Sequence, residues 1–428
     1  MIVKSKFARA GLAILLCAAT LLPIPTAHAN SKLPLLDTSS SFRIPNTAEV
    51  IGLNRIKENW VVAGIDSEDK SWVGQYTRTG EEIWRVSPLV EKGGGEGFIT
   101  AFSVDGQSTL LAGISQSPLS ITTAPAATTP APSVTPSIVA SASPTSSPTS
   151  SPTGSATVTN PRNVPLVNPD NVIPGKSEPR RSDIKNIFVI RLDNSGKVVE
   201  LSNTQNERSF IPTSVTTRNS NIFVVGNQMP SDNTSRGALY IFKSDGSSNS
   251  FSFGSKQTRF NRVLATSATS ITVVGSSADT LAGRAVAGRV DGVILTLAQS
   301  TGEVTNVLRS SGKGAMRSWD FATGNLLVSG TSRSSTTREA VVTSFTSKAS
   351  VSWTKRYPKS VQALASGSCI AVETSGSEVL IYRVDSKGKE LKGARIPRHD
   401  LLAVATTDTK GCAILSAVSA GEFRVSYL

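Results

Sequence analysis

The chain has 428 residues and carries 44 Lys and Arg against 31 Asp and Glu, a formal net charge of +13. Such an excess attracts anionic polymers, for example cell-wall phosphates, acidic glycans or lipid headgroups. Beyond residue 29 the sequence holds one histidine, His399, and no H-x-x-x-H or C-x-x-C spacing, which excludes the common metal-binding motifs.

The N-terminus has the three-part organisation of a secretory signal peptide. Basic residues precede an apolar run, Ala10–Leu22, and the small residues of Ala27-His28-Ala29 place cleavage after Ala29. Cys17 follows a leucine, which argues against lipid modification. No later apolar run reaches the roughly 18 residues that cross a bilayer, so no transmembrane anchor is expected. We therefore predict a signal peptide over 1–29 and a mature chain that is secreted or associated with the cell surface.

A short apolar run that ends in a small residue recurs along the mature chain. Each run is rich in Val, Ile and Leu and is bounded by turn formers, which predicts a buried strand. The seven runs are NWVVAG (59–64), TLLAG (109–113), NIFVVG (221–226), SITVVG (270–275), NLLVSG (325–330), CIAVE (369–373) and CAILS (412–416). Their spacing is roughly 43 to 55 residues, with one exception.

The exception is the step from Gly113 to Gly226, which contains the low-complexity tract SASPTSSPTSSPTGSAT (141–157). Removing residues 116–184 leaves a step of about 44 residues, so the segment interrupts one repeat instead of separating two domains. Such a composition buries too little apolar surface to offset its ordering entropy, which predicts disorder. We place this insertion between the second and third strands of the second repeat.

The sequence around each run predicts four antiparallel strands per repeat. A strand and a tight turn precede the run, and two strands joined by a Gly-containing turn follow it, as in IFVIRLDNSGKVVEL (187–201). Repeats of this length and content are typical of β-propellers. We therefore predict an all-β, seven-bladed propeller over 30–428. The final repeat lacks a fourth strand, and the orphan strand SSFRIPN (40–46) is expected to complete it by pairing with GEFRVSYL (421–428).

These units resemble the short repeats of bacterial secreted propellers, as in DGVILTLAQSTGEV (291–304) and GALYIFKSDGSS (237–248). One turn, RTGEEIWR (78–85), is similar to the Thr-Gly-x-x-x-Trp turn of quinoprotein-type propellers, whereas the turns at 300–306 and 386–392 lack the Trp. The resemblance implies the fold. It does not select a function, because these families include scaffolds, surface proteins and dehydrogenases.

Basic residues cluster at the predicted starts of the innermost strands, which converge around one mouth of the axial channel. Arginine's planar fork suits phosphate or carboxylate, so these residues are candidates for an anion site. The alternative is that they are solvated loop tips. The candidates are Arg208, Arg259, Arg262, Arg317, Lys359 and His399.

Carboxylates near the same strand starts are the candidates for the alternative function, that of a carbohydrate-active enzyme. Propeller glycosidases use paired carboxylates near the axis, but Glu49, Glu96, Asp320 and Asp400 lie in different sequence contexts, and no Asp-box is present. His399 has no accompanying G-x-S-x-G elbow. No catalytic residue is therefore assigned.

Two cysteines, Cys369 and Cys412, remain after signal-peptide removal, 43 residues apart. They occupy equivalent positions in neighbouring repeats, and a disulfide between them is predicted if their Cα atoms lie within about 7 Å.

These observations together predict a secreted, non-catalytic propeller that binds an anionic or glycan component of the cell envelope, or a protein partner. No cofactor, metal or nucleic acid is expected. The alternatives are a secreted carbohydrate-active enzyme that uses channel carboxylates, and a purely structural surface protein.

Overall fold

The computed structural model describes residues 33–91, 97–120, 185–205, 209–231, 234–312, 314–324, 326–346, 350–407 and 411–428. The predicted signal peptide (1–29) and residues 121–184 of the predicted insertion lie outside the described residues. No helix in the described part of the chain is long and apolar enough to span a membrane.

The described residues form 28 strands in seven antiparallel sheets of four strands, which confirms the predicted seven-bladed propeller. Blade one comprises β2 (Glu49–Ile56), β3 (Asn59–Ile65), β4 (Ser71–Tyr76) and β5 (Glu82–Val86). Blade two comprises β6 (Gly97–Asp105), β7 (Ser108–Ser115), β8 (Asn186–Leu192) and β9 (Val198–Gln205). Blade three comprises β10 (Phe210–Arg218), β11 (Asn221–Ser231), β12 (Thr234–Phe242) and β13 (Ser248–Phe253). A short helix, α1 (Pro88–Glu91), links the first two blades.

Blades four to six have the same order of strands. Blade four comprises β14 (Thr258–Leu264), β15 (Ser270–Ser277), β16 (Asp291–Ala298) and β17 (Val304–Ser310). Blade five comprises β18 (Met316–Thr323), β19 (Leu327–Arg333), β20 (Arg338–Phe345) and β21 (Val351–Pro358). Blade six comprises β22 (Ser360–Ser366), β23 (Cys369–Thr374), β24 (Glu378–Val384) and β25 (Glu390–Pro397). Blade seven comprises β26 (Asp400–Thr406), β27 (Cys412–Ser419), β28 (Glu422–Tyr427) and the N-terminal strand β1 (Phe42–Ile44).

The N-terminal strand closes the ring as predicted. Strand β1 pairs antiparallel with β28, with Phe42 opposite Val425. The first strand of every blade contacts the first strands of both neighbouring blades, including β2 of blade one against β26 of blade seven. The first strands therefore surround the propeller axis. Across the closure, Trp60 donates its indole N–H to the Tyr427 hydroxyl (2.7 Å).

Burial follows the position of a strand within its blade. Strands β3 and β4 are buried along almost their whole length because both of their faces pack on neighbouring blades, whereas the outer strand β13 alternates exposed and half-buried positions. The apolar core is accordingly divided into clusters between adjacent blades, such as the one that joins blades one and two through Val61, Val73 and Phe188. Each fully buried Val or Phe contributes roughly 1.5 to 3 kcal/mol to the folded state.

The antiparallel order gives the propeller two distinct faces. We call "upper" the face on which first strands begin and the loops from second to third strands lie, and "lower" the face that carries the turns between strands one and two and between strands three and four. The inserted segment leaves β7 and returns at β8, which pair with each other, so it interrupts blade two on the upper face as predicted.

The first residues of the predicted insertion pack on blade two. The Leu119 side chain is buried in the cluster between blades one and two. The Asn203 side-chain amide accepts a hydrogen bond from the Leu119 N–H (3.0 Å) and donates one to its carbonyl (2.8 Å). Leu119, which belongs to the predicted insertion (116–184), therefore packs as part of blade two.

Aromatic rings on outer strands rest on turn glycines of the next blade. The Trp84 ring covers Gly196, where a Cβ would lie 2.8 Å from the ring, and its indole N–H donates to the Asn194 carbonyl (2.9 Å). Trp353 makes the same contact with Gly388 in blade six. The sequence pattern singled out the turn before Trp84 but predicted neither of these two contacts.

Candidate anion-binding surface

Exposed basic side chains concentrate on the upper face of blades three to five. They belong to the loops between second and third strands, or to the connections between blades, and all six are solvent-exposed. We call them the basic surface: Lys256, Arg284, Arg289, Arg333, Arg338 and Lys359.

The carboxylates described on the upper-face loops of the same three blades are withdrawn from solvent. Asp279 and Asp291 are buried, with 7% and 0% exposure, and the Glu339 side chain is 17% exposed. The second-to-third loop of blade one differs, because Glu68 and Asp69 are exposed there. The other blades present fewer exposed cations on the upper face, among them Lys70, Lys185 and Arg398, so the positive charge is concentrated in one sector of the ring.

The loop that presents Arg284 and Arg289 is fixed by the buried Asp279. Its carboxylate accepts hydrogen bonds from the Thr258 hydroxyl (2.7 Å) and from the N–H groups of Lys256 and Gln257 (both 3.1 Å). Burial alone would raise the pKa of Asp279, but these hydrogen bonds outweigh it and hold the pKa below its usual value. The ionised Asp279 carboxylate thus holds this loop in place.

A buried ion pair holds the far end of the same loop. Asp291 accepts hydrogen bonds from the N–H groups of Ala287 (2.8 Å) and Gly288 (2.9 Å) and pairs with Arg309 (3.4 Å). Arg309 also donates to the Asp279 carbonyl. Breaking such a buried pair costs about 3 to 5 kcal/mol. The exposed arginines therefore project from a rigid support.

Two of the predicted site residues, Arg259 and Arg317, lie between blades. The Arg259 Nε–H donates to the Ser235 hydroxyl of blade three (3.5 Å), and Arg317 donates to the Ser310 hydroxyl of blade four (2.6 Å). Burial lowers the pKa of both guanidinium groups, and the charge of Arg356 lowers that of Arg317 further. They lie below the basic surface and add to its positive field.

The remaining predicted residues on the upper rim have different surroundings. Lys359 is exposed and belongs to the basic surface, whereas Arg208 lies outside the described residues. His399 is half-buried in blade seven, where its Nδ1 contacts the Ser416 hydroxyl (2.8 Å). Burial, followed by the charge of Arg424, lowers its pKa. A single anion site shared by all six candidates stays a prediction.

Arg262 lies deeper in the fold than the other candidates. It follows a β-bulge in β14, in the innermost layer of strands, and its guanidinium lies 4.5 Å from the ring centroid of Phe321 in the next blade. It is half-buried, and burial lowers its pKa to about 10. It therefore faces an environment unlike that of the rim residues.

Three of the four carboxylates considered for catalysis, Glu49, Asp320 and Asp400, lie in described first strands. Glu49 and Asp400 are exposed at the starts of β2 and β26, and Glu96 lies outside the described residues. Asp320 accepts hydrogen bonds from Ser318 (2.5 Å) and Asn261 (3.4 Å). In the part of the chain that the structure describes, no group of three or more His, Cys, Asp and Glu side chains could hold a metal ion.

A cleft of about 750 Å³ opens on the lower face between blades two and three. Two carboxylates and two arginines line it, so their formal charges cancel, and Arg191 pairs with Glu200 (2.8 Å) and Asp105 (3.7 Å). This cleft therefore lacks the excess of positive charge found on the upper face.

A disulfide joins Cys369 to Cys412 at the starts of β23 and β27, with Cα atoms 5.5 Å apart. Both residues are buried, and the bond connects the last two blades beside the closing strand. The Cα separation falls within the limit on which the sequence prediction depended.

The sequence analysis missed Arg284, Arg289, Arg333 and Arg338. These residues are far from the starts of first strands in the sequence, but loops between second and third strands open on the same face. Grouping charges by loop class, instead of by distance from the first strand, would have found them.

The fold and this surface define a seven-bladed β-propeller protein with one basic face. No protein-family model matches the chain, and no curated protein matches it. Similar solved structures include quinohemoprotein alcohol dehydrogenase ADHIIG from Pseudomonas putida HK5, at 9% identity and a TM-score of 0.45, covering 90% of this chain and 75% of that one. Quinohemoprotein alcohol dehydrogenase from Comamonas testosteroni has 10% identity and a TM-score of 0.45, with coverage of 92% and 76%. The Dos1 propeller has 9% identity and a TM-score of 0.43, with coverage of 92% and 95%.

Proposed function

We propose that this protein is a secreted, non-catalytic binding propeller whose basic surface holds an anionic polymer of the cell envelope. The observation that carries the proposal is the basic surface itself: six exposed cations across three consecutive blades, above carboxylates that are buried or half-buried. A field of one sign over an extended surface favours a polyanion over a small neutral ligand.

The rigid support favours binding. The backbone of a fixed loop loses little conformational freedom when the loop meets a ligand, which reduces the entropic cost of association. Secretion is supported by the sequence of residues 1–29 and by the disulfide, since disulfides persist in oxidising compartments.

Charge reversal at two exposed residues tests the proposal. Arg284 and Arg289 project from the loop that Asp279 and Asp291 hold, so Arg284→Glu with Arg289→Glu should leave the fold intact. The double substitution changes the local charge by four units, and each exposed charge contact contributes about 0.5 kcal/mol. We expect a loss of about 2 kcal/mol, or roughly 30-fold in affinity.

The assay is equilibrium binding to immobilised poly(glycerol phosphate) at low ionic strength, repeated at 0.5 M NaCl, where exposed charge attraction is screened. The matched control is Lys387→Glu with Lys389→Glu, which makes the same charge change at exposed positions of the lower face. Equal loss of affinity in both variants would show that only net charge matters, and unchanged affinity in the Arg284/Arg289 variant would refute the proposal.

A further inference from the structure

The innermost strands all carry a β-bulge at the same level. The register of each first strand shifts around one residue, and all seven of these residues are half-buried beside the axis. They are Ile51, Thr100, Thr213, Asn261, Asp320, Val361 and Leu402.

Polar bulge residues in blades two to four bond to the blade that follows. Thr100 donates to the Pro212 carbonyl (2.8 Å), Thr213 to the Phe260 carbonyl (2.7 Å) and Asn261 to the Trp319 carbonyl (2.9 Å). In each case the acceptor precedes the next bulge. These side-chain donors are therefore used in joining neighbouring blades.

Arg262, the residue after the bulge in blade four, differs from these donors. Apart from the contact with the Phe321 ring, it makes no hydrogen bond or ion pair with any described residue. The carboxylate on the neighbouring strand, Asp320, accepts from Ser318 and Asn261 instead. Among the residues that the structure describes, Arg262 is thus a half-buried guanidinium without an anionic partner.

A half-buried guanidinium loses part of its hydration, and an anion or several acceptors can replace what is lost. The low pKa of about 10 reports the same desolvation. The Phe321 ring covers one region of the guanidinium, and the planar N–H fork can still meet the two oxygens of a carboxylate or phosphate.

We propose that Arg262 is the anchor of a second binding site, beside the propeller axis, that takes a small oxyanion such as a phosphate or carboxylate group. The site is distinct from the basic surface, because Arg262 lies among the innermost strands whereas the basic surface lies on the outer loops of the upper face. The ligand is taken to be small because a single guanidinium anchors the site. This inference does not depend on polymer binding.

The test titrates the full mature chain with sodium phosphate, and separately with sodium acetate, at an ionic strength held constant with NaCl. Binding is followed in ¹⁵N NMR spectra by the arginine Nε–H signals and, in the variants without Arg262, by the backbone amide signals. We expect saturable movement of one signal that is absent from the spectrum of Arg262→Gln. Apparent affinity should fall by about 10- to 100-fold in that variant, as expected for loss of a charge-assisted pair.

Two further variants make the result decisive. Arg262→Lys keeps the charge but loses the planar fork, so it should bind phosphate with intermediate affinity. This variant tests the site if Arg262→Gln does not fold. Arg284→Glu with Arg289→Glu should bind phosphate as the wild type does while losing polymer, which separates failure of this site from failure of the basic surface. An unchanged phosphate titration in Arg262→Gln, or no saturable response in the wild type, would overturn the inference.

Discussion

The contact between Trp353 and Gly388 predicts a large difference between two glycine substitutions. Gly388 and Gly246 occupy equivalent turns between third and fourth strands, with φ of +78° and +85°. A Cβ on Gly388 would lie 2.7 Å from the Trp353 ring, whereas a Cβ on Gly246 would meet nothing within 4 Å. The pair therefore separates backbone strain from packing between blades.

Alanine at either position pays for a left-handed backbone, about 1 to 2 kcal/mol. At Gly388 the overlap with the ring adds about 1 to 3 kcal/mol, as in other overpacked sites. We therefore expect Gly388→Ala to reduce the free energy of unfolding by about 2 to 5 kcal/mol and Gly246→Ala by about 1 to 2 kcal/mol.

The measurement is urea unfolding followed by far-UV circular dichroism. The free energy of unfolding and its slope against urea concentration are compared between variants. Trp353→Leu in the Gly388→Ala background should recover part of the loss, because the two residues are in contact and their effects are coupled. Equal destabilisation by the two glycine substitutions would refute the reasoning that the ring rests on Gly388.

Two further predictions concern blades six and seven. The disulfide closes a loop of 43 residues, so Cys369→Ala with Cys412→Ala should cost up to about 4 kcal/mol of unfolding free energy in urea titrations; an unchanged midpoint would contradict this. Burial and the charge of Arg424 lower the pKa of His399, so below pH about 6.5 the unfolded chain binds more protons than the folded one. The neutral imidazole therefore contributes stability that is present above pH about 6.5 and lost as the pH falls. His399→Gln should show a smaller loss of unfolding free energy between pH 7.5 and 5, and a steeper loss would refute the assignment.

Much of the fold was predictable because the repeated unit has a strong local signature. The buried second strands, the glycine turns and the orphan N-terminal strand all follow from hydrophobic pattern and turn chemistry. The partner of Trp353 was not predictable in this way. The sequence just before Trp353 (346–350) has no glycine, and the ring rests on Gly388 in another blade.

A second feature missed from the sequence is the segment before β1. Pro34 and Leu36 form backbone hydrogen bonds with Arg395 on the outer strand of blade six, so the N-terminal region contacts two blades. A stretch as short as residues 33–36 is too short to show a hydrophobic periodicity. Its pairing with blade six depends on the position of β1 in the folded ring.

The candidate site was predicted only in part. The charge excess pointed to anions, and Lys359 belongs to the surface that the fold assembles. Arg284 and Arg289 could not be grouped with it from sequence spacing, because their proximity to one face depends on strand direction. Arg262 was grouped with the rim residues, although the bulge places it beside the axis.

The most direct test of the account is a hydrogen-exchange footprint of the mature protein with and without poly(glycerol phosphate). If the basic surface holds the polymer, exchange slows at residues 282–290 and 333–339 and is unchanged at the lower-face turn 385–389. Protection confined to the lower face, or retention of polymer without protection of the upper-face loops, would contradict it.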